Sequence, residues 1–160
     1  MIAFPLLLVF FACEHLQTPL PEATILKMVD GDSGQARLMS TGKTVNIRLY
    51  GIDAPERGQA FSQKAKAFSE NLLNGQRVQL DVIETDRFGR QIVNIYLSDG
   101  SLANHQIVAA GFAWWFRSFA PDNGDLSSLE ARARAAKLGL WQDKAPLPPW
   151  EYRQKKRQNP

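Results

Sequence analysis

The feature that most constrains the fold of this chain is a set of five short segments in which apolar and polar residues alternate. They cover residues 23–29, 35–39, 44–50, 76–84 and 91–97. Turn sequences rich in Gly, Asp and Ser separate them, which is typical of strands that meet through short connections. In the third segment Val45, Ile47 and Leu49 share one face, because successive side chains of a strand point to opposite faces.

Helical periodicity follows the third and fifth of these segments. Residues 59–73 are predicted to be helical, with an apolar stripe of Phe61, Ala65, Phe68 and Leu72. Ser101 is predicted to cap a short helix that stops at Gly111. A final helix is predicted from the stripe Leu129, Ala133, Ala136 and Leu140.

The first seven predicted elements, in the order strand-strand-strand-helix-strand-strand-helix, predict an α+β chain, mainly β, built on an OB-fold. This is a five-stranded Greek-key barrel, often used on nucleic acids, and here it would carry three helices. An isolated α+β sheet would give much the same pattern and stays open as an alternative.

Length and composition limit the kinds of site that the chain can build. A chain of 160 residues suits one domain with tails. The net charge of +3 permits a polyanionic partner without requiring one. The single cysteine excludes an internal disulfide, and with only two histidines it does not supply the usual Cys/His zinc site. A hydrolase built from this sequence must therefore draw its chemistry from carboxylates and arginines.

The two ends of the chain differ from its middle. Residues 1–13 form an apolar leader that ends in Ala12-Cys13, and residues 14–21 resemble a linker. The leader is shorter than the roughly 20 residues of a membrane-spanning helix and matches the apolar region of a secretory signal. Ala12-Cys13 resembles the end of a bacterial lipobox, so we expect an exported protein. It would be either a lipoprotein anchored through Cys13 or a secreted or periplasmic protein with an ordinary signal peptide.

Residues 144–160 form a tail that is first rich in proline and then basic. Three prolines at positions 146, 148 and 149 are expected to prevent a regular helix from starting before Trp150. The basic residues that follow are Arg153, Lys155, Lys156 and Arg157. They either attract phosphate or form a solvated end, and the sequence favours the solvated end. The globular domain is accordingly assigned to residues 22–143.

Polar residues without a packing role gather at three strand ends. The three groups are Asp30-Gly31-Asp32, Arg48 with 53–56 (DAPE), and 85–90 (TDRFGR). Each group alone is compatible with an ordinary turn or helix start. Together they supply what phosphodiester cleavage requires. Arginine can clamp phosphate through its planar fork, and carboxylates can hold a hard cation and orient water.

At these residues the chain resembles the staphylococcal nuclease (thermonuclease-like) family. Five blocks occur in order: VDGDS at 29–33, IRLYGIDAPE at 47–56, TDRFGR at 85–90, AAGFAW at 109–114 and GLW at 139–141. The resemblance covers residues 23–141. It implies a barrel with three helices, one Ca²⁺ ion and cleavage of both DNA and RNA, with displacement of the 5′ oxygen and a 3′-phosphate product.

The resemblance also implies roles for individual residues. Asp32, Asp53 and the backbone carbonyl of Ala54 look like the metal ligands, and Asp30 looks like a neighbour that supports them. Glu56 looks like the residue that activates or orients the attacking water. Arg48 and Arg90 look like the phosphate clamps. Oxygen-only ligands suit a hard cation, and extracellular calcium sites work at roughly 10⁻⁴ to 10⁻³ M, which fits an exported enzyme.

Some residues depart from the family pattern or have two interpretations. Phe88 stands where the family often has Tyr, so a phenol hydrogen bond to phosphate would be missing. The aromatic residues Trp114, Trp115, Phe116 and Phe119 either pack in the core, which is favoured, or stack nucleic-acid bases.

Two other kinds of protein are compatible with the predicted fold. One is a module that binds nucleic acid without cutting it, although such modules usually lose the carboxylates or arginines that are present here. The other is an oligosaccharide-binding surface protein, which would line the barrel mouth with neutral polar and aromatic groups. The sequence favours the enzyme, and a monomer is the expected oligomeric state.

Overall fold

The structure is a computed structural model that describes residues 19–158. The predicted leader with Cys13, and most of the predicted linker 14–21, lie outside the described residues. None of the helices in residues 19–158 is long and apolar enough to cross a membrane.

In chain order the strands of the described residues are β1 (Glu22–Met28), β2 (Ser33–Leu38), β3 (Thr44–Leu49), β4 (Ile52–Asp53), β5 (Arg77–Thr85), β6 (Gln91–Tyr96) and β7 (Trp114–Trp115). Five of them close a barrel in the order β1-β2-β3-β6-β5. Neighbouring strands of the barrel are antiparallel, except that β3 and β6 run parallel, with Ile47 opposite Gln91. The predicted five-stranded OB-type barrel is confirmed.

The alternation seen in the sequence decides which side chains fill the barrel. On β3, Ile47 and Leu49 are buried, whereas Arg48 between them is half-buried on the opposite face. The other strands contribute their inward residues in the same way, among them Ile25, Leu80, Val93 and Ile95. The apolar side chains of β3 fill the core from one face of the strand, so the polar side chains on its other face can form a site.

Four α-helices surround the barrel in the described residues, one more than the three predicted. They are α1 (Ser62–Leu73), α2 (Ala103–Ala109), α3 (Gly124–Ala135) and α4 (Pro149–Gln158), with a 3₁₀-helix at Gly139–Gln142. The additional helix, α4, lies in the tail. It begins at Pro149, one residue before the position expected, because the fixed φ of proline suits the first position of a helix and its missing N–H costs nothing there.

The other helices differ from prediction at their ends. Helix α1 begins three residues later than residue 59, after Phe61 adopts a φ of 64°. Ser101 does not cap α2, since its backbone N–H and its hydroxyl both donate to Asp99 Oδ1 in the preceding turn. Helix α3 ends at Ala135, and Lys137 takes a φ of 51° in the turn that follows.

The predicted apolar stripes on the first and last helices were partly wrong. Helix α1 buries Ala65, Ser69 and Leu73, and the predicted Phe68 and Leu72 are only partly buried. Helix α3 buries Leu126, Glu130 and Ala133. Ala136, predicted to be apolar and inward, is exposed beyond the end of that helix, and Leu140 is buried from the 3₁₀-helix.

The aromatic run after α2 forms the short strand β7. Trp115 pairs with Ile52 and Trp114 with Asp53, and both tryptophans are buried. The interpretation as core is confirmed for these two residues. Phe119 is 55% exposed, so it does not share their burial.

The turn before β2 is built to carry side chains into one end of the barrel. The carboxylate of Asp30 accepts hydrogen bonds from the backbone N–H groups of Asp32 (3.0 Å) and Ser33 (2.7 Å). Ser69 of α1 donates its hydroxyl proton to the carbonyl of Gly31 at 2.7 Å. A β-carbon on Gly31 would lie 2.6 Å from Ala54 Cβ, so only glycine lets this turn approach the loop after β4.

We expect Gly31→Ala to lower the free energy of unfolding by about 1–3 kcal/mol, because the added methyl group overpacks the contact between the turn and Ala54. Urea unfolding followed by circular dichroism measures it. Gly124→Ala is the matched control, since Gly124 has open space around its missing side chain and an ordinary φ. Equal stability of the two variants would contradict the proposed close packing.

Candidate active site

Two buried aspartates face each other at one end of the barrel and share one arginine. Asp32, in the turn before β2, is 3% exposed, and Asp53, in β4, is 1% exposed. Arg48 of β3 donates from Nη1 to Asp32 Oδ1 and from Nη2 to Asp53 Oδ1, each at 2.9 Å. One planar guanidinium therefore fixes the relative position of both carboxylates.

The backbone of Ala54 also lies against this pair. Its N–H donates to Asp32 Oδ2 at 2.7 Å. The hydroxyl of Ser33 donates to the other oxygen, Oδ1, at 2.9 Å. The structure thus brings together the predicted residues Asp32, Asp53, Ala54 and Arg48, and Asp30 shapes the turn that carries Asp32.

Burial makes the ionised forms of the two aspartates less favourable. Burial raises the pKa of Asp32 to about 6, against the opposing effect of Arg48, and the nearby Asp30 adds to the rise. Burial also raises the pKa of Asp53, with a further contribution from Asp32, although Arg153 and Arg48 oppose it. Burial disfavours the charge of Arg48, but the two aspartates outweigh that effect and its pKa is raised.

Glu56 stands at the edge of the same site. It lies in the loop after β4, directly behind Pro55, and its side chain is 39% exposed. Its backbone N–H donates to the side-chain oxygen of Gln59 at 2.9 Å. Its carboxylate accepts a hydrogen bond from Arg153 Nη1 at 2.6 Å.

Arg153 is the site residue that the sequence analysis missed. From α4 it donates to Asp53 Oδ2 through Nη2 at 2.8 Å and to Asp53 Oδ1 through Nη1 at 3.2 Å, in addition to its contact with Glu56. These hydrogen bonds raise the pKa of Arg153 above its ordinary value. The interpretation of the basic tail as a solvated end was therefore wrong for this residue.

The sequence contains one signal that could have located Arg153. Three prolines followed directly by Trp150 start a helix with a large apolar side chain, which usually packs against a protein surface. In the structure the ring of Trp150 stacks on Phe116, with centroids 5.5 Å apart and an interplanar angle of 10°. That packing orients α4 so that Arg153, one turn later, points to Asp53.

Arg90 ends the loop before the strand next to β3, and within the described residues it makes no hydrogen bond or ion pair to Asp32 or Asp53. It precedes β6, whose parallel pairing with β3 puts Ile92 beside Arg48. Its guanidinium is held by Asp86, with Nε and Nη2 each 2.8 Å from Oδ2. The neighbouring Phe88 is 68% exposed, and its ring lies 5.7 Å from the Arg90 guanidinium carbon.

The donor set fits a hard divalent cation. Burial raises the pKa of both carboxylates, and Asp32 adds to the rise at Asp53. The positive charge of a cation held by them would favour their ionised forms. The carboxylates offer oxygen ligands, which Ca²⁺ and Mg²⁺ prefer. Within residues 19–158, no group of three or more His, Cys, Asp or Glu side chains is arranged to hold a metal ion, so backbone oxygen, water or substrate would complete the shell.

A cavity of about 230 Å³ opens beside this cluster. Asp30, Pro55 and Glu56 line one side of it, and Arg57 and Lys66 contribute positive charge. Its polar lining and basic side chains are compatible with an anionic ligand next to Glu56.

Comparisons with known proteins find similarity to nucleases. A family model described as "Staphylococcal nuclease homologue" matches residues 46–143. An uncharacterized endonuclease of Escherichia coli O157:H7 is 34% identical over 152 residues, which cover 95% of this chain and 97% of that protein. An uncharacterized endonuclease of Haemophilus influenzae is 31% identical over 154 residues, 96% and 85% of the two chains. A micrococcal nuclease of Shigella flexneri is 32% identical over 138 residues, 81% and 78%.

The raised pKa of Asp32 predicts how stability depends on pH in cation-free buffer. Because the folded state binds this proton more tightly than the unfolded state, the free energy of unfolding should fall as pH rises from about 4 to about 6. The shift from 3.8 to about 6 corresponds to about 3 kcal/mol. Asp32→Asn should lose the part of this dependence that Asp32 contributes, while Asp53, whose pKa burial also raises, should keep its own part.

Urea unfolding at a series of pH values, with a chelator present, measures the effect. Asp122→Asn is the control, since Asp122 is exposed on the surface. An equally steep fall in the Asp32 variant would show that other groups cause the dependence.

Proposed function

The chain belongs to the staphylococcal nuclease family, and on this premise we propose that it is a Ca²⁺-dependent nuclease that hydrolyses phosphodiester bonds of DNA and RNA. The observation that carries the proposal is the cluster formed by Asp32, Asp53, Arg48 and Glu56 at one end of the barrel. It combines a cation site, a phosphate-binding arginine and a carboxylate that can orient water. A domain that only binds nucleic acid has no need for this combination.

Asp32, Asp53 and the carbonyl of Ala54 would hold the Ca²⁺ ion, and Asp30 would keep the turn that presents Asp32 in place. When bound, the ion supplies positive charge that polarises a phosphate oxygen and stabilises the charge developing on it. Burial of both aspartates supports this assignment, because a buried pair of carboxylates is stable in its charged form only when cations neutralise it.

Glu56 would orient and deprotonate the attacking water. Its partial exposure and its position beside the 230 Å³ cavity leave room for water and substrate. The guanidinium of Arg48 forms ion pairs with both aspartates. The same guanidinium would donate to the phosphate and stabilise the pentavalent transition state.

Arg90 would provide the second clamp on the phosphate. Its place next to the β3–β6 pairing supports this role, and the exposed Phe88 ring beside it could contact a nucleotide. By family resemblance, water would displace the 5′ oxygen and leave a 3′-phosphate.

We further propose that the protein is exported and acts as a monomer. The apolar leader and the Ala12-Cys13 pair support either a membrane-anchored lipoprotein or a secreted or periplasmic protein. Dependence on Ca²⁺ fits such a location, because extracellular calcium sites bind at roughly 10⁻⁴ to 10⁻³ M.

We expect the purified full chain to cleave heat-denatured DNA and RNA when Ca²⁺ is added and to stop when a chelator removes it. Ca²⁺ at a hundredfold excess over its Kd should also stabilise the fold by about 2.7 kcal/mol, since only the folded state presents the site. Product formation on gels and urea unfolding measure the two effects. Cleavage in chelator would contradict the cation dependence, whereas binding without cleavage by folded protein would favour a non-catalytic module.

Glu56→Gln should lower kcat by about 10²- to 10⁴-fold, as the loss of a general base does. Binding of nucleic acid should change little, because the amide keeps the shape of the side chain and the arginines are untouched. Glu84→Gln is the control, since Glu84 is exposed on β5. Unchanged turnover of the Glu56 variant would reject the proposed role in water activation.

A further inference from the structure

The guanidinium of Arg153 joins the two carboxylates that flank the loop after β4. It lies 2.6 Å from Glu56 Oε1 and 2.8 Å from Asp53 Oδ2. No other side chain in residues 19–158 donates a hydrogen bond to the carboxylate of Glu56. Arg153 is therefore the group that fixes the distance between the glutamate and the buried aspartate.

Helix α4 is anchored firmly enough for Arg153 to hold that position. Pro149 is buried, and Trp150 stacks on Phe116. Just before the helix, the carbonyl of Leu147 accepts a hydrogen bond from the side-chain amide of Gln59. The tail is thus attached to the domain by packing and by a hydrogen bond as well as by the ion pairs of Arg153.

Two of these attachments converge on Glu56. The side-chain oxygen of Gln59 accepts a hydrogen bond from the backbone N–H of Glu56, while its amide group donates to Leu147. Gln59 is 8% exposed, so this bridge is shielded from water. The tail therefore constrains the backbone of Glu56 through Gln59 and its carboxylate through Arg153.

A glutamate in this place needs such support. Its side chain has several rotatable bonds, and it extends from a loop with 39% of its surface exposed. A carboxylate that activates water must be held close to one geometry for efficient catalysis. A charge-assisted hydrogen bond from a planar guanidinium, which also grips a buried aspartate, provides that restraint.

We propose that Arg153 is a positioning residue of the nuclease site, which holds the Glu56 carboxylate at a fixed place relative to Asp53. The inference rests on the proposed nuclease function and extends the site from the barrel into the C-terminal helix. Arg153 acts through Glu56 and needs no contact with the nucleic acid.

The same helix offers a matched control. Arg157 lies one turn after Arg153, is exposed, and makes no ion pair in the described part of the chain. Arg157→Ala removes the same charge and the same side chain from the same helix. A general contribution of the basic tail to nucleic-acid attraction should therefore affect both variants alike.

We expect Arg153→Ala to lower kcat by about 10- to 100-fold, as the loss of a residue that orients a catalytic group does. KM should change less than about threefold, since the phosphate-binding arginines remain. Arg157→Ala should keep its kcat. Arg153→Lys should give an intermediate kcat, because an ammonium keeps the charge but lacks the planar fork.

Steady-state kinetics of the full chain at saturating Ca²⁺ measures these values, and the Glu56→Gln background supplies the diagnostic comparison. If Arg153 acts through Glu56, adding Arg153→Ala to that background should change kcat by less than about threefold, because the two effects are not additive. A full additional loss in the double variant would overturn the proposal.

A second double-mutant cycle uses the free energy of unfolding in chelator, and it does not depend on activity. Arg153→Ala and Glu56→Gln should be coupled in this cycle, whereas Arg157→Ala and Glu56→Gln should be additive. Additivity of the first pair would overturn the contact itself.

The remaining outcomes are also informative. An unchanged or higher kcat in the Arg153→Ala variant would overturn the proposal. If calorimetry also shows that this variant binds Ca²⁺ more tightly, helix α4 obstructs the site. If the wild-type protein is active and Arg153→Ala and Arg157→Ala lower kcat equally, the positioning role of Arg153 is overturned and the proposed nuclease function is not. Folded wild-type protein that cleaves no nucleic acid would overturn the proposed function, and with it the role of Arg153.

Discussion

The repulsion between two buried carboxylates governs the architecture of this site. Asp32 and Asp53 are almost fully removed from water, so burial raises the pKa of both, and Asp32 raises the pKa of Asp53 further. Such a pair persists only with compensating positive charge, because burial of unpaired charge is costly. Arg48 compensates from the barrel, and Arg153 does so from the C-terminal helix. A divalent cation would meet the same electrostatic requirement.

In the barrel, the side chains that pack the core and the side chains that form the site lie on opposite faces of a strand, so charged groups can gather at the site. Along β3 the inward residues Ile47 and Leu49 complete the core, and Arg48 between them faces the site. Because β3 and β6 pair in parallel, with Ile47 opposite Gln91, the loop that ends in Arg90 lies next to β3. The strands supply a rigid frame, so the turns can carry charged side chains without weakening the core.

The C-terminal helix shows how a segment outside the barrel can become part of its site. The match to the family model covers residues 46–143 and stops before α4 begins at Pro149. Even so, α4 docks through Trp150 and contributes Arg153 to the carboxylates. Relatives in Escherichia coli and Haemophilus influenzae align over almost the whole of this chain, beyond the barrel alone. The site thus combines the barrel with a helix that encloses its edge.

The sequence by itself determined the barrel and the part of the site that lies close to strand ends. Alternation in β3 put Arg48 opposite the core, and the short segments around Asp32 and Asp53 follow local turn chemistry. Only the tertiary structure decided the place of Arg153, because it contacts Asp53 across 100 residues of sequence and Glu56 across 97. A periodic pattern predicts which face of its own strand or helix a side chain occupies. It does not predict which distant element packs against that face. For Arg153 the packing depends on the stacking of Trp150 on Phe116.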